Sequence, residues 1–462
     1  MSVTLETPPP WTRFLPVRLR APLVEAMLPQ ALGALLLRAI AAGLLLLTTT
    51  LLARELGPDG LGAFASTMAF VTLASLPLSL GIPQGIVRIV HASAAHGDRS
   101  AIAAAVRWAL RTGALASIAG ALVLTGFSAW RNRPASPLPF SAIAAGLCLP
   151  PLVIAMCASG ILRAFDTPLR ALLPDLAGRG GAMALALFLL LSFGVRFDAG
   201  TALFLQSASI LAGCLFALAL VRRSLPDLPR PARLDAGGRE RLSVCWPLMA
   251  AGIAATIMAQ ADVLMLAFLR GEEAAGLYRA ASLASLATTV TLAAFLHPLA
   301  PKMAALFAQG RHARLQRLVS LVTLATTASS VPFALLLLLW PEAILTSVFG
   351  HGFDVGAGAL AILVTGQLFN LLCGPVAVLL QYSGAERVVA RTFAWCTAAN
   401  LLLNAALIPP FGMEGAAVAT ALSLVAWNLH LTVFAQKRRD LSTSILACGR
   451  FFVGKPSPEA AA

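Results

Sequence analysis

The sequence predicts an all-α polytopic membrane protein with about twelve transmembrane helices, arranged as two six-helix bundles around a central cavity. The first observation is composition: 58% of the 462 residues are hydrophobic and 12% are charged, whereas a soluble domain carries about 25% charged residues. The second is length, because apolar runs repeatedly reach about 20 residues, enough for a helix to cross a bilayer. The third is that the sequence lacks the alternating segments of a membrane β-barrel.

Twelve apolar runs are long enough to span a membrane. Several contain prolines, which kink membrane helices where neighbouring helices can bond the freed carbonyls. The predicted spans are roughly 30–52, 62–87, 106–128, 140–162, 172–194, 200–221, 244–268, 275–300, 317–340, 356–382, 388–409 and 415–436.

Lys and Arg are distributed unequally between the connections. Residues in the first four positions of a span are counted with the connection before it. Of the 34 residues, 25 then lie in connections on the side of the N-terminus, 5 lie on the opposite side and 4 lie deeper within spans. Because positive residues accumulate in cytoplasmic loops, we expect both termini in the cytoplasm and an even number of spans. The net charge of +14 is then a consequence of topology, and we expect no nucleic-acid partner.

A Pro- and Arg-rich connection, RRSLPDLPRPARLDAGGRER, divides the chain into two sets of six spans. A shift of 214 positions lays Gly62 on Gly276, and a shift of 218 lays Gly194 on Gly412, so the two sets resemble parallel repeats. The predicted parts are a cytoplasmic leader (1–29), a first lobe (30–221), a linker (222–241), a second lobe (242–436) and a cytoplasmic tail (437–462).

Arg38 lies about a third of the way into the first span, QALGALLLRAIAAGLLLLTTTLL. An arginine inside a span costs roughly 2.5–3.5 kcal/mol on insertion scales, so it normally faces a cavity or a partner. Two interpretations remain: a cavity cation that binds an anionic headgroup such as a phosphate or diphosphate, or a structural ion pair with Asp262 or Asp175. We favour the cavity cation.

The other charged residues within spans are three arginines and two acids. Asp175 and Arg179 are four residues apart, so they either pair on one helix face or leave Arg179 free to reach the cavity. Arg111 and Arg279 lie near helix ends, where their side chains can extend to the interface. Arg179 and Arg111 are therefore secondary candidates for a cationic cavity site.

Asp262 lies in the seventh span, two residues after Gln260. One interpretation is that it neutralises a nearby arginine, and the other is a gate that responds to protons or cations. We predict Asp262, with Asp175 as a second candidate, as a coupling or gating residue.

Polar side chains recur in the later spans. Each favours hydrogen bonding between helices, but together with Gln260 they would suit a cavity for a hydroxyl-rich cargo. They are Gln206, Gln367, Asn370, Asn400, Asn404 and Asn428, while His297 and His430 are expected at the membrane interface.

Signatures of soluble enzymes are missing. The sequence has no Walker loop, no H-E-x-x-H and no G-x-S-x-G motif, and its seven cysteines form no C-x-x-C pair. We therefore predict a protein that is not an enzyme and has no catalytic residue, cofactor or metal site.

Several segments resemble the polysaccharide flippase family, which handles O-antigen and other lipid-linked oligosaccharides within the multidrug/oligosaccharidyl-lipid/polysaccharide exporter superfamily. The likeness extends from about residue 30 to 440, and its most specific part opens the second lobe. The segments are ARELGPDGLGAFASTMAF, GIPQGIVRIV, ADVLMLAFLRGEEAAGLYRAASL, HPLAPKMAALFAQG, FGHGFDVGAGALAILVTGQLFN and IPPFGMEGAAVATALS.

The resemblance implies a flippase that moves a polyprenyl-diphosphate-linked oligosaccharide from the inner to the outer leaflet of a bacterial inner membrane by alternating access. It implies an ion gradient (H⁺ or Na⁺) or the membrane potential as the energy source. Cationic cavity residues of such flippases are thought to receive the anionic cargo, and Arg38 matches that role by position. We expect a monomer that works beside polysaccharide polymerase machinery.

Two other functional classes of membrane protein are alternative interpretations of the sequence. A proton- or sodium-coupled multidrug exporter of the same fold would want an acid where this first lobe has Arg38. A membrane-bound glycan polymerase or ligase would need a long outer loop with acidic, His or Arg residues, and the predicted outer loops are short.

Overall fold

The computed structural model describes residues 22–131, 140–165, 168–224, 238–289, 292, 303, 305–439, 441 and 443–445. Every regular element within these residues is a helix, so the prediction of an all-α protein is confirmed. Most of the predicted leader, linker and tail lies outside the described residues.

The helices divide into a first half (α1–α7) and a second half (α8–α14). Most are uniformly apolar, as expected for helices that face lipid or other helices on all sides. The first half contains α1 (Pro22–Leu78), α2 (Ile82–Ala95), α3 (Arg99–Arg131), α4 (Phe140–Ala164), α5 (Pro168–Asp175), a π-helical segment (Leu176–Ala182), α6 (Met183–Ser192) and α7 (Ala199–Ser224). The second half contains α8 (Gly238–Arg270), α9 (Glu272–Leu286), α10 (His312–Leu339), α11 (Pro341–Phe349), α12 (Ala357–Cys373), α13 (Val376–Tyr382) and α14 (Glu386–Arg439), with short 3-10 turns at Ala287–Thr289 and Asp354–Gly356.

Each of the twelve predicted spans coincides with helix, although the end of span 275–300 lies outside the described residues. Eight described helical stretches are long and apolar enough to cross a membrane. Two of them, of 60 and 53 residues, are long enough for two crossings each. These double stretches bend sharply at glycine: α1 at Gly57 (φ 67°, ψ −173°) and α14 at Gly412 (φ 57°, ψ −131°).

Two predicted spans are interrupted in the structure. Span 62–87 breaks just before α2, where Gly81 has a φ of 68° and Pro83 occupies the first helical turn, a position that needs no backbone N–H. Span 356–382 breaks between α12 and α13 at Gly374, whose φ is 69°. Periodicity alone did not reveal these breaks because the apolar pattern continues through them.

The backbone supports the sequence repeat. Gly57 and Gly271 are 214 positions apart, and both combine a positive φ with an extended ψ (−173° and 173°). Gly62 and Gly276, related by the same shift, face each other: a Cβ on Gly62 would lie 3.0 Å from the backbone nitrogen of Gly276. Glycine is required at both positions because the two helices approach backbone to backbone.

The two halves meet at the end of the molecule that contains Gly57, Gly271 and Gly412, which we call the glycine-turn end. A buried apolar cluster there joins α1 and α9 with α11 and α12. Arg54 of α1 adds a polar contact, because its side chain donates to the carbonyls of Ser347 and Val348 at the end of α11 (Nε to Val348 O, 3.0 Å). A cation suits that position, since the C-terminus of a helix carries partial negative charge.

Two helices begin with a capping aspartate just outside the apolar stretches. Ala101 N and Ser100 Oγ donate to Asp98 at 2.9 and 2.7 Å, and these two bonds lower the pKa of that carboxyl. Thr201 donates to Asp198 through both its hydroxyl and its backbone N–H, which lowers the pKa of Asp198 in the same way. Both carboxylates are therefore charged at neutral pH and stabilise the helix starts.

Candidate functional site

A cavity of about 350 Å³ lies between the two halves of the molecule. Its volume is in the range of small-molecule sites. Both arms of α1 form one wall, and the π-helical segment, α7, α8 and α9 complete it. The lining residues are Ala41, Ala42, Leu45, Thr48, Thr49, Leu52, Leu61, Phe64, Ala65, Met68, Ala69, Thr72, Asp175, Leu176, Arg179, Gly180, Gln206, Gln260 and Arg279.

The charged groups of this lining are two arginines and one acid. Arg179 comes from the first half and Arg279 from the second, so each half contributes a cation. Asp175 lies 3.8 Å from Arg179, and both side chains are open to the cavity, with 43% of Arg179 and 68% of Asp175 exposed. Arg279 is half-buried and has no acidic partner among the described residues. The described lining therefore carries an excess of positive charge.

Arg179 occupies the centre of the seven-residue π-helical segment. The segment packs tightly on α7, because a Cβ on Gly178 would lie 2.7 Å from the Cα of Gly213. Single-turn π-helical segments within α-helices occur frequently at functional sites, because the extra residue re-aims neighbouring side chains. Here the two possibilities left open for Arg179 occur together: it approaches Asp175 and also lines the cavity.

Two amides add hydrogen-bonding capacity to the cavity. Gln260 lies in the lining. Gln206 is only 7% exposed, and its Nε2 has no hydrogen-bond partner within the described part of the chain. A buried donor without a partner is costly, so this amide is suited to an acceptor oxygen on a bound molecule.

Two predicted cations lie outside this lining. Arg38 is exposed on α1, and the described lining begins one turn later, at Ala41 and Ala42. Arg111 is exposed on α3, away from the cavity. Arg279, predicted to reach the interface, takes the position in the lining that the sequence suggested for Arg38.

Asp262 belongs to a second site, inside the second half. Its carboxylate is 5% exposed and accepts hydrogen bonds from Tyr278 Oη (2.7 Å), Asn404 Nδ2 (2.7 Å) and Thr420 Oγ1. Asn404 Nδ2 also donates to Asn400 Oδ1 at 3.1 Å. We call these five residues the Asp262 cluster. No arginine pairs with Asp262 in the described part of the chain, so its charge is compensated by neutral donors only.

Most of the predicted cavity amides lie in the second half and do not line the central cavity. Asn400 and Asn404 belong to the Asp262 cluster. Asn428 Nδ2 donates to Asn370 Oδ1 at 3.0 Å, and Asn370 Nδ2 donates to Gln367 Oε1 at 3.4 Å. The bond between Asn428 and Asn370 connects α14 and α12, and the bond between Asn370 and Gln367 lies within α12. Hydrogen bonding between helices is the role that each amide favoured individually.

The sequence analysis did not predict that Tyr278 and Thr420 bond to Asp262. One signal was available for Thr420. Thr420 lies eight residues after Gly412, and Asn404 lies eight residues before Gly412. Because the two arms of α14 run antiparallel from that bend, residues at equal distances from Gly412 lie at equal depth. No comparable signal marked Tyr278, because its position depends on how α8 packs on α9.

The sequence matches the family described as Polysaccharide biosynthesis protein over residues 31–307. No curated protein matches the chain in sequence. Among solved structures, it resembles the lipid II flippase MurJ in an inward closed conformation, with a TM-score of 0.68, 13% identity and coverage of 91% of this chain and 92% of that one. It also resembles an inward-facing multidrug resistance MATE family transporter of the MOP superfamily, with a TM-score of 0.65, 14% identity and coverage of 88% and 95%.

A third similar structure is a MOP superfamily transporter from Pyrococcus furiosus, described by the reversed polarity of its binding pocket, with a TM-score of 0.55, 13% identity and coverage of 93% and 96%. At these identities the likeness establishes the fold, an all-helical transporter fold, over nearly the whole chain. The family match covers more than half of the sequence. The chain therefore belongs to the polysaccharide biosynthesis protein family.

Proposed function

We propose that the protein is a flippase that moves a polyprenyl-diphosphate-linked oligosaccharide, an O-antigen or exopolysaccharide repeat unit, from the inner to the outer leaflet of a bacterial inner membrane. The observation that carries this proposal is the positive central cavity, whose cations come from both halves of the chain. Arginine binds phosphate oxygens through two parallel N–H donors, so a pair of arginines suits a diphosphate. Membership of the family supports a glycan as the rest of the cargo.

The proposed mechanism is alternating access. Arg179 and Arg279 hold the diphosphate, and Gln206 and Gln260 donate to its oxygens or to the first sugar. The two halves, acting as lobes joined by the linker 222–241, then rock to open the cavity to the other side. The lipid tail stays in the bilayer through a gap between the lobes. Arg38, one turn outside the lining on the side of the N-terminus, receives the headgroup before it reaches the cavity.

The Asp262 cluster is the proposed coupling site. A buried carboxylate with only neutral donors is costly, and a proton or a monovalent cation would remove that cost. The buried Oδ1 of Asn404 has no hydrogen-bond partner in the described part of the chain, and it is an oxygen of the kind that cations such as Na⁺ bind. The energy source proposed is therefore an H⁺ or Na⁺ gradient or the membrane potential acting on that cation.

The test is the sign of the cavity charge. A single cysteine replaces Ala42, which lines the cavity, in a background without the native cysteines. Anionic and cationic methanethiosulfonate reagents of matched size are then compared. We expect the anionic reagent to react faster than the cationic one. A unit charge at an assumed separation of about 8 Å, in a medium of dielectric constant about 40, is worth about 1 kcal/mol, with opposite sign for the two reagents. Arg279→Gln should therefore lower the ratio of the two rates by about 2 kcal/mol, or roughly thirtyfold. Arg387→Gln, an exposed charge at the start of α14, is the matched control.

The second candidate function is a proton- or sodium-coupled multidrug exporter. The observation in its favour is Asp175, an exposed acid within the cavity lining that could attract a cationic drug. A faster reaction of the cationic reagent at Ala42→Cys would favour this function and overturn the flippase proposal.

A further inference from the structure

A second polar cluster lies in the second half, deeper along α14 than the Asp262 cluster. It consists of Gln367, Asn370 and Asn428, linked in series by hydrogen bonds of 3.4 and 3.0 Å. Asn428 is fully buried, at 0% exposure. We call these three residues the Asn428 cluster. Neither the central cavity nor the Asp262 cluster includes any of them.

The positions of the two clusters can be compared by their depth along the helix hairpin of α14, counted in residues from the bend at Gly412. Two observations calibrate that depth: both arms bond Asp262 of α8 at one level, and one hydrogen bond joins the arms directly at another. Asn404 and Thr420, each eight residues from Gly412, bind the same carboxylate. Thr392 and His430, 20 and 18 residues from Gly412, lie 2.9 Å apart (Oγ1 to Nδ1). Residues at equal distances from Gly412 therefore lie at the same depth on the two arms to within two residues.

On this scale the polar side chains form a regular series. The carboxylate of Asp262 is held at eight residues from the bend, Asn400 follows at 12, Asn428 at 16 and His430 at 18. Four helical residues advance by about 6 Å, so no apolar step in this series is longer than about one turn. The series ends at His430, which is exposed, near the end of α14 opposite to Gly412.

Unpaired polar atoms follow the same series. Asn404 Oδ1, Asn400 Nδ2 and Asn428 Oδ1 are all buried without a hydrogen-bond partner in the described part of the chain. All three belong to α14. Such atoms are costly when dry, and in folded proteins they are usually satisfied by ordered water. A single buried amide can be an exception, whereas three along one helix indicate a line of water sites.

We propose that the second half contains a hydrated path that leads the coupling cation from the Asp262 cluster, past Asn400 and the Asn428 cluster, to the cytoplasmic end of α14. The path rests on the proposed coupling role of Asp262. Amide groups and water can pass either a proton or a monovalent metal cation, because both offer donors and acceptors without a fixed charge that would trap the cation. The central cavity is not part of this path, so cargo and cation move through separate routes.

Water access is tested without any cargo. Asn428→Cys and Leu431→Cys are compared in a background without the native cysteines, because Leu431 is equally buried, at 0% exposure, but belongs to an apolar cluster. A methanethiosulfonate reagent reacts with the thiolate, which forms only where water reaches the sulfur. We expect Asn428→Cys to react roughly tenfold faster than Leu431→Cys, and from the cytoplasmic side. Asn370→Cys provides a second reporter if Asn428→Cys does not fold.

The cation is tested by flux. Proteoliposomes are loaded for ²²Na⁺ uptake or with an internal pH dye, and Asn428→Leu is compared with the unchanged protein. We expect roughly tenfold slower movement of the transported cation, while Ser423→Ala, a buried hydroxyl on the same helix that bonds its own backbone, is the matched control. Equal labelling of Asn428→Cys and Leu431→Cys would overturn the path. Fast labelling with an unchanged flux in Asn428→Leu would overturn the cation as its occupant.

Discussion

The contact between Gly62 and Gly276 gives the sharpest prediction about movement of the two halves. A Cβ on Gly276 would overlap the carbonyl oxygen of Pro58 and lie 2.9 Å from the backbone nitrogen of Gly62. Carbon atoms in ordinary contact are about 3.5–4.0 Å apart. Because the opposing atoms belong to helix backbone, Gly276→Ala forces α9 and α1 apart by about 1 Å.

The cost can be estimated from overpacked cores, where an inserted methyl group costs typically about 1–3 kcal/mol. This cost applies only to the arrangement in which the glycine-turn end is closed. If the protein alternates between closed and open arrangements of this end, as proposed, Gly276→Ala shifts that equilibrium toward the open one by about 5- to 150-fold. A protein with a single rigid arrangement would instead lose stability by the same amount.

The assay is a distance distribution between spin labels at Asp59 and Glu273, two exposed positions on opposite sides of the contact. Gly276→Ala should increase the population at long distances. Gly43→Ala is the matched control, because no atom lies within 4 Å of a Cβ at Gly43. An unchanged distribution in Gly276→Ala, together with a lower melting temperature than that of Gly43→Ala, would refute the idea that this contact opens during transport.

Two further predictions concern the sites themselves. Arg279→Ala should lower glycolipid translocation in proteoliposomes by about tenfold or more, since a bidentate charged contact is worth about 1.5–3 kcal/mol. Arg38→Ala should lower translocation less, because Arg38 lies one turn outside the lining. An equal loss in the two variants would indicate that Arg38 binds the headgroup within the cavity. Asp262→Asn should leave the protein folded, since the amide keeps acceptor capacity toward Tyr278 and Thr420, but should abolish the dependence of translocation on the H⁺ or Na⁺ gradient. Retained dependence would assign Asp262 a structural role.

Much of the fold could be predicted from the sequence because membrane spans carry a strong signal. An apolar run of about 20 residues has few alternatives in a bilayer. The described parts of the twelve predicted spans are helical, apart from a few end residues and the breaks in spans 62–87 and 356–382. The breaks at Gly81 and Gly374 were missed, because hydropathy measures where a chain is apolar and not where it turns. The π-helical segment at Leu176–Ala182 is similar: the sequence LAGRGGA contains the flexibility for it, but only packing against Gly213 selects it.

The sites were harder to predict than the spans. Charge and depth identified Arg179 and Asp262 as residues that need a partner. In the structure Arg179 lines the central cavity and lies near Asp175, and Asp262 accepts hydrogen bonds from neutral donors. The distinction between Arg38 and Arg279 was not accessible, because it depends on which faces of α1 and α9 meet across the two halves. Hydropathy places a residue at a depth in the membrane, but it does not specify the rotation of a helix about its own axis.

Helix α9 connects the features that the proposed transport cycle requires. Gly276 contacts the opposite half, Tyr278 donates to Asp262, and Arg279 lines the central cavity, all within four consecutive residues. A cation at Asp262 changes what Tyr278 bonds to, and an anionic cargo at Arg279 acts on the adjacent residue of the same helix. If binding of the cation or of the cargo rotates or shifts α9, the same movement changes the contact at Gly276. Coupling between cation, cargo and closure therefore needs no long chain of intermediate residues, because one rigid turn of helix belongs to all three sites.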